Sequence, residues 1–579
     1  MGIKHFFIWL KRNHPACLQN ISTDASFEME DIQIDNLCLD MNGIFHYCAQ
    51  QVYRYGNFEQ NASLLRKNFN RNGLKWQLKF FQAVCDRIEF LRKIVNPKKR
   101  LILCVDGVAG MAKMSQQRQR RYKSSQQGAL KNTDFNPVCI SPGTKVMDYL
   151  NKYVDWYIRM MISNSPEWEN LAVVFSNEKV PGEGEHKIIN YIRKYGAENE
   201  SWCIHGLDAD LIMLGLATHE PKMYILRENM YNLNELHVLN VSRMYTELIQ
   251  RLKWEKSEQV YNGKSAIHDF VFMCFLVGND FLPSIPTLAI LEGGIDAMID
   301  VYKQTCQVYG HLTRVQHRRN HGSRVLLRPE AIRVFLGTLS TYSKGLMEEK
   351  YMKKANFHPD EILNKNVTVT DDGCELNFDN YRKDFYHKKL QVDVEDEKMV
   401  TEKCHNYLRG MQWVLSYYTR GISSWTWYCK DSYAPFLCDL AKSCETYAMT
   451  ELPTGTPAPS YLQLMYILPP VHQKLLPEVL GKAMKREDIA QYYPEKFVLD
   501  VSGKRQEWEG IVILPELNTE KIRTVYEELC SQIPEREKRL NQKGSNYIYK
   551  YKTYGDSYVF KSFYGHIPNC RAKRIPLTF

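Results

Sequence analysis

The chain has 579 residues, 44% hydrophobic and 25% charged, which excludes global disorder and leaves ample length for a large core. Lysine and arginine outnumber aspartate and glutamate by 76 to 66, and the resulting +10 permits a polyanionic partner without demanding one. The longest apolar run, Phe270–Val277, is far shorter than the ~18 residues a bilayer span needs, so no membrane partner is expected. Residues 1 to about 300 alternate short apolar runs with helical periodicity, which predicts an α/β domain around a mostly parallel sheet. In chain order, strands are expected at Asn36–Leu39, Leu101–Val105, Leu171–Phe175, Trp202–His205 and Tyr224–Leu226, with helices over Leu78–Ile94 and Val146–Ile162. The basic stretch around Arg314–Arg324 reads as a linker or mobile loop. The pattern from about 330 to 450 is mostly helical, and 452–470 is proline-rich, hence extended and irregular.

The 16 cysteines are scattered, with no C-x-x-C pair, the pattern of buried thiols in a reducing compartment. The N-terminus lacks the order of a signal peptide. Cytoplasmic residence is the expectation, with a nuclear site left open.

Acidic positions carry the main chemical signal. Asp40 and Asp106 end predicted strands, and Asp208 and Asp210 follow another. Side chains at the carboxyl ends of parallel strands converge. PGEGEHKI adds Glu183 and Glu185, and FLVGND adds Asp280 after the most apolar run. A single aspartate after a strand suits a turn or helix cap, but five motifs of the same logic favour one shared site. Such a cluster repels itself unless protonated or neutralised by cations. All-oxygen ligands suit Mg²⁺ or Mn²⁺, and two ions ~3.5–4 Å apart form the clamp of phosphodiester hydrolysis.

The segment KMSQQRQRRYK (113–123) holds five basic residues and no acid. On a helix, Lys113, Gln117, Arg120 and Arg121 share one face at i, i+4, i+7 and i+8. This set suits a phosphate pocket, with a solvated basic face as the alternative.

The motifs LDMNGIFH, VDGVAGMAKMSQQRQRR, PGEGEHKI, GLDADLIMLGL and VGNDFLP, continued by GMQWVLSYYTRGISSWTWY (410–428), YAPFLCDL and GKRQEWEGIVILP, resemble the 5′→3′ exoribonuclease (Xrn) family. The resemblance implies a PIN/flap-nuclease-like α/β domain over 1–305. A linker over 306–330, a mostly helical second region over 331–515 packed against the first, and a C-terminal extension over 516–579 would follow. It implies a compact form without the long C-terminal domains of the large cytoplasmic members. It maps the metal ligands onto Asp40, Asp106, Glu183, Glu185, Asp208, Asp210 and Asp280, and the 5′-monophosphate pocket onto Lys113, Gln117, Arg120 and Arg121. The leading base would stack between His46 and a tryptophan, chosen as Trp413 over Trp425 and Trp427. The implied activity is processive hydrolysis of 5′-monophosphorylated single-stranded RNA by a monomer with two Mg²⁺, Mn²⁺ substituting, in mRNA decay. Lys4, Ile8 and Gly110-Met111 depart from the family pattern, the last removing a basic residue near the pocket. A flap endonuclease would need a duplex-binding helix-hairpin-helix after Asp280, and an inert RNA-binding scaffold would be expected to have lost carboxylates.

Overall fold

A computed structural model describes residues 2–22, 33–56, 58, 73–126, 135–229, 235–255, 258–318, 322–353 and 358–579. Among the described residues up to 305 there are seven strands: β1 (Leu18–Ser22), β2 (Asn36–Asp40), β3 (Arg100–Cys104), β4 (Ala172–Ser176), β5 (Trp202–His205), β6 (Met223–Glu228) and β7 (Glu235–Asn240). They lie in one mixed sheet in the order β1-β7-β6-β5-β2-β3-β4, extended past β4 by the strands Asn546–Tyr551 and Ala572–Leu577. The five central strands β6-β5-β2-β3-β4 are parallel, and both flanks are antiparallel. All five predicted strands form, Trp202–His205 as expected and the other four with ends shifted by one or two residues.

The central strands are buried on both faces, as parallel strands flanked by helices must be. Alternation sends Leu37 and Leu39 of β2 into one core and Cys38 into the other. The first core packs under helices Met41–Tyr53, Leu74–Val95 and Lys145–Asn164. The second joins helices Gly184–Tyr195, Asp210–Thr218 and Gly263–Phe275 to the second region's Pro329–Ser340 and Glu397–Thr419. This shared apolar mass fixes the second region against the carboxyl ends of the strands.

Three expectations change. The basic stretch read as a linker is a β-hairpin, Thr313–Arg318 paired with Gly322–Leu327, although residues 319–321 lie outside the described set. Thr313 donates through N–H and hydroxyl to buried Asp269, and Leu327 N–H donates to Gln412 on the Glu397–Thr419 helix. Val325, Leu326 and Leu327 are buried, so three apolar residues among many charges suffice to dock the hairpin. Within the proline-rich 452–470, Ser460–Ile467 is helical and fully buried. Finally, residues 516–579 are no mere extension: Asn546–Tyr551 pairs with β4, placing Tyr547, Ile548 and Tyr549 opposite Phe175, Val174 and Val173.

Candidate active site

Parallel register sets Asp40 beside Cys104 and Cys104 beside Ser176, so β2, β3 and β4 end at one level. Asp40 closes β2, and Asp106 follows β3 by two residues. Glu183 caps the Gly184–Tyr195 helix, with Glu185 in its first turn. Asp210 opens Asp210–Thr218. Asp280 follows the Gly263–Phe275 helix. Glu183, Glu185 and Asp210 are buried, and the other four are half-buried.

Two glycines permit the approach. Gly184 N–H donates to Asp106 Oδ1 at 2.7 Å, and a Cβ on Gly184 would stand 2.6 Å from Asp40 Oδ1. Any larger residue would push the helix off the acids. Gly2, at φ +42°, lies so close to Asp210 that a Cβ would sit 2.0 Å from its Oδ1.

Electrostatics tie the seven acids together. Burial, then the charges of Asp106 and Asp208, push Asp40 well above the usual carboxylate range. Burial likewise raises Glu185, against the pull of Lys113 and with Glu183, Asp40 and Asp208 adding to the rise. Burial and Asp280 bring Asp210 up to about 7. For Asp280 the burial effect is outweighed by positive charge, Lys113 foremost, which holds it low. Asp208 is also held low against burial, Lys113 contributing. The charge of Asp106 in turn helps raise Asp40 and Glu183.

The basic face meets this cluster directly. Lys113 Nζ lies 2.6 Å from Glu183 Oε2 and 2.8 Å from Asp280 Oδ2, inside the acids rather than beside them. Further along the Met111–Gln126 helix, Arg121 donates to Ser141 Oγ at 2.7 Å. Its Nη1 and Gln117 Oε1 are buried without a hydrogen-bond partner among the described residues. Burial, and then Arg120, lower the Arg121 guanidinium to about 9. His46, half-buried on Met41–Tyr53, is brought down to about 4 by burial and then by Arg120 and Arg121, so its ring is neutral beside them. One helix face therefore runs from the acids to His46. Arg118 points elsewhere and donates to the carbonyls of Pro515 and Tyr492. Gly110, where the family pattern is broken, packs against Ile422, and the Met111 N–H donates to Trp425 O at 2.9 Å.

Trp413 does not fit the base-stacking role. It is 2% exposed, its rings pack on Phe281, Tyr417 and Trp427, and its Nε1 donates to Ser424 O. Trp427 is half-buried in the same cluster, whereas half-buried Trp425 stands at the start of the basic helix.

Three supporting residues escape a reading of acids and bases alone. Tyr417 donates its hydroxyl to Glu183 Oε1 at 2.6 Å and stacks on His186 at 3.6 Å. Lys187 Nζ donates to Val105 O and Asn177 O, tying the loops that carry Asp106 and Glu183. Asn42 Oδ1 accepts the Asp106 N–H. Lys187 and Tyr417 lie within the quoted PGEGEHKI and WVLSYYTRG segments, which are the signal that marks them.

The acids suit hard divalent cations: the donors are all oxygen, and Asp40 Oδ1 and Asp210 Oδ1 are buried without a hydrogen-bond partner among the described residues. The one trio of potential ligand atoms within 4.8 Å of one another among the described residues lies elsewhere, at His14, Cys17 and Glu247. There the 2.8 Å His14–Glu247 hydrogen bond accounts for the closeness. Mutual repulsion holds the seven carboxylates further apart, with Lys113 between two of them.

The family model for the XRN 5′-3′ exonuclease N-terminus matches residues 1–229, and that for the Xrn1 helical domain matches 260–376 and 338–575. Human 5′-3′ exoribonuclease 1 is 29% identical, covering 94% of this chain and 35% of that protein. Chicken 5′-3′ exoribonuclease 2 is 28% identical, covering 95% and 72%, and the Saccharomyces cerevisiae 5′-3′ exoribonuclease 1 is 27% identical, covering 98% and 46%. The chain thus spans about a third of the human relative and under half of the yeast one. A solved catalytic core of Rad2 with DNA aligns at TM-score 0.30 and 15% identity over 69% of this chain and 94% of that one, too distant to carry weight. With a helical-domain match spanning more than half of the chain and an N-terminal match covering the acid-bearing sheet, the protein belongs to the XRN 5′-3′ exonuclease family.

Proposed function

We propose that this chain is a processive 5′→3′ exoribonuclease that hydrolyses 5′-monophosphorylated single-stranded RNA to nucleoside 5′-monophosphates in RNA decay. The observation that carries the reading is the meeting of seven carboxylates with one basic helix face through Lys113. Asp40, Asp106, Glu183, Glu185, Asp208, Asp210 and Asp280 would hold two Mg²⁺, which Mn²⁺ could replace; bound there, the ions supply an activated water and charge stabilisation for phosphodiester cleavage. Gln117, Arg120 and Arg121 bind the terminal phosphate, the unpartnered Arg121 Nη1 and the Gln117 side-chain NH2 donating to its oxygens. Lys113, held here by Glu183 and Asp280, would be free to turn its ammonium to that phosphate if those two acids held cations. The neutral His46 ring stacks on the first base, and Trp425, whose carbonyl accepts from the Met111 N–H at the start of the pocket helix, takes the place of Trp413 as the second stacking ring.

Water adds to the first internal phosphorus as its bond to the 3′-oxygen breaks. The proton balance leaves a 3′-hydroxyl on the released mononucleotide and a new 5′-monophosphate on the shortened strand. Each cycle therefore regenerates the end that the basic face binds, so cleavage can repeat along the strand.

The test compares one RNA bearing a 5′-phosphate, 5′-hydroxyl or 5′-triphosphate, each with and without a 3′ block. Digestion to mononucleotides of the 5′-phosphate form alone, indifferent to the block, is expected. Equal digestion of all three ends, or internal fragments as first products, would overturn the proposal.

A further inference from the structure

Residues 543–574 hold seven lysines and arginines and a single acid, Asp556. In the antiparallel pair at the end of the sheet, Lys550 stands directly opposite Lys573, and both are exposed. Like charges facing each other across a ladder destabilise it. Beside the strand pair opens a groove of about 970 Å³. Lys550, Lys552 and Lys573 line it together with Tyr551, Tyr554 and Tyr558, and no acidic residue does. Tyr554 is 87% exposed, a high value for a large ring with no evident packing role.

This groove is separate from the acidic site. Tyr547 lies opposite Phe175, near the carboxyl end of β4, and Tyr549 lies opposite Val173. Lys550 and the residues after it therefore run past the amino end of β4, at the opposite edge of the sheet from the acids.

We propose that this groove binds single-stranded RNA, holding the downstream part of a strand whose 5′ end occupies the acidic site; the choice of RNA rests on the function proposed above. Lysines at this spacing neutralise successive phosphates. Exposed Tyr554 and Tyr558 offer faces on which bases stack without regard to sequence. A duplex keeps its bases stacked inside and would leave the tyrosines unused, as would an acidic peptide.

The proposal is tested without nuclease chemistry, by anisotropy of a labelled 5′-hydroxyl RNA in EDTA. Removing two phosphate contacts in Lys550→Ala/Lys573→Ala is expected to reduce the slope of log affinity against log salt by about 1.4. Loss of one stacked base in Tyr554→Ala is expected to weaken binding about ten-fold. With Mg²⁺ and 5′-phosphorylated substrates, the same variants should raise KM for a long RNA and leave a hexanucleotide unchanged. Unaltered RNA binding in both variants would overturn the proposal. So would a silent Tyr554→Ala together with full competition by polyglutamate, which would assign the groove to an acidic protein. If the protein digests no RNA yet the variants still lose binding in EDTA, the nuclease reading fails and the groove stands.

Discussion

Tyr417 shows how a single hydroxyl couples the two regions of the chain. It sits near the end of the Glu397–Thr419 helix and donates to one oxygen of Glu183, while Lys113 holds the other. Phenylalanine at this position keeps the ring on His186 but removes a hydrogen bond to a charged group, worth ~1.5–3 kcal/mol. Groups that orient a metal ligand typically matter by about 10–100-fold in affinity or activity. Tyr417→Phe should therefore fold normally, need a higher Mg²⁺ concentration for half-maximal digestion, and lose about ten-fold in kcat with KM for RNA unmoved. An unchanged Mg²⁺ dependence in steady-state assays would remove Tyr417 from the site. Asp208→Ala is more severe: Mg²⁺-dependent digestion should vanish while the circular dichroism spectrum stays native. Retained digestion would take Asp208 out of the ligand set.

The Met111–Gln126 helix carries two functions on two faces. Lys113, Gln117, Arg120 and Arg121 look toward the acids and His46, while Arg118, 6% exposed, fastens the opposite side to Pro515 O and Tyr492 O. Arg118→Ala leaves the buried carbonyl of Tyr492, and that of exposed Pro515, without their charged donor, so a loss of about 1.5–3 kcal/mol in stability is expected. An unshifted urea midpoint would contradict it. The functional face was legible because helical spacing and charge alone define it, and the acids were legible because strand ends in a parallel sheet converge. Elements formed by long-range partners were not. The Thr313–Leu327 hairpin hides its few buried residues among arginines and histidines, and Asn546–Tyr551 with its partner Ala572–Leu577 joins the main sheet only through β4, more than 350 residues earlier in the chain. Trp413 was misplaced for a related reason: a stacking tryptophan and a core tryptophan look alike until Phe281, Tyr417 and Trp427 close around one of them.

For the whole molecule, the acid cluster is a source of strain that pH or cations can relieve. Asp40 and Glu185 are raised well above the carboxylate range and Asp210 to about 7, in each case chiefly by burial. In the unfolded chain such groups titrate near 3.9–4.3. Between those values and their raised folded ones, the folded protein binds more protons than the unfolded chain, so stability rises as pH falls. Buried histidines act with the opposite sign. Burial brings His219 and His472 down to about 4 and His268 to about 3, His219 and His268 lying 2.9 Å apart through their Nε2 atoms. Unfolded histidines take up protons only below about pH 6.5, so their destabilisation begins there, at ~1.4 kcal/mol per pH unit for each group. The interval from about pH 8 to 6.5 thus belongs to the acids. In EDTA, the melting temperature should climb as pH falls through that interval and turn down below it. Cations that bind only the folded acids stabilise by about 2.7 kcal/mol at a hundred-fold excess over their dissociation constant. With saturating Mg²⁺, the melting temperature at pH 8 should therefore rise and the climb should flatten. Calorimetric profiles that coincide with and without Mg²⁺ across this range would show that the seven carboxylates do not share a cation site. An Asp40→Asn/Asp210→Asn variant should flatten the EDTA profile by itself, because it removes the buried charges that the protons or ions would otherwise neutralise.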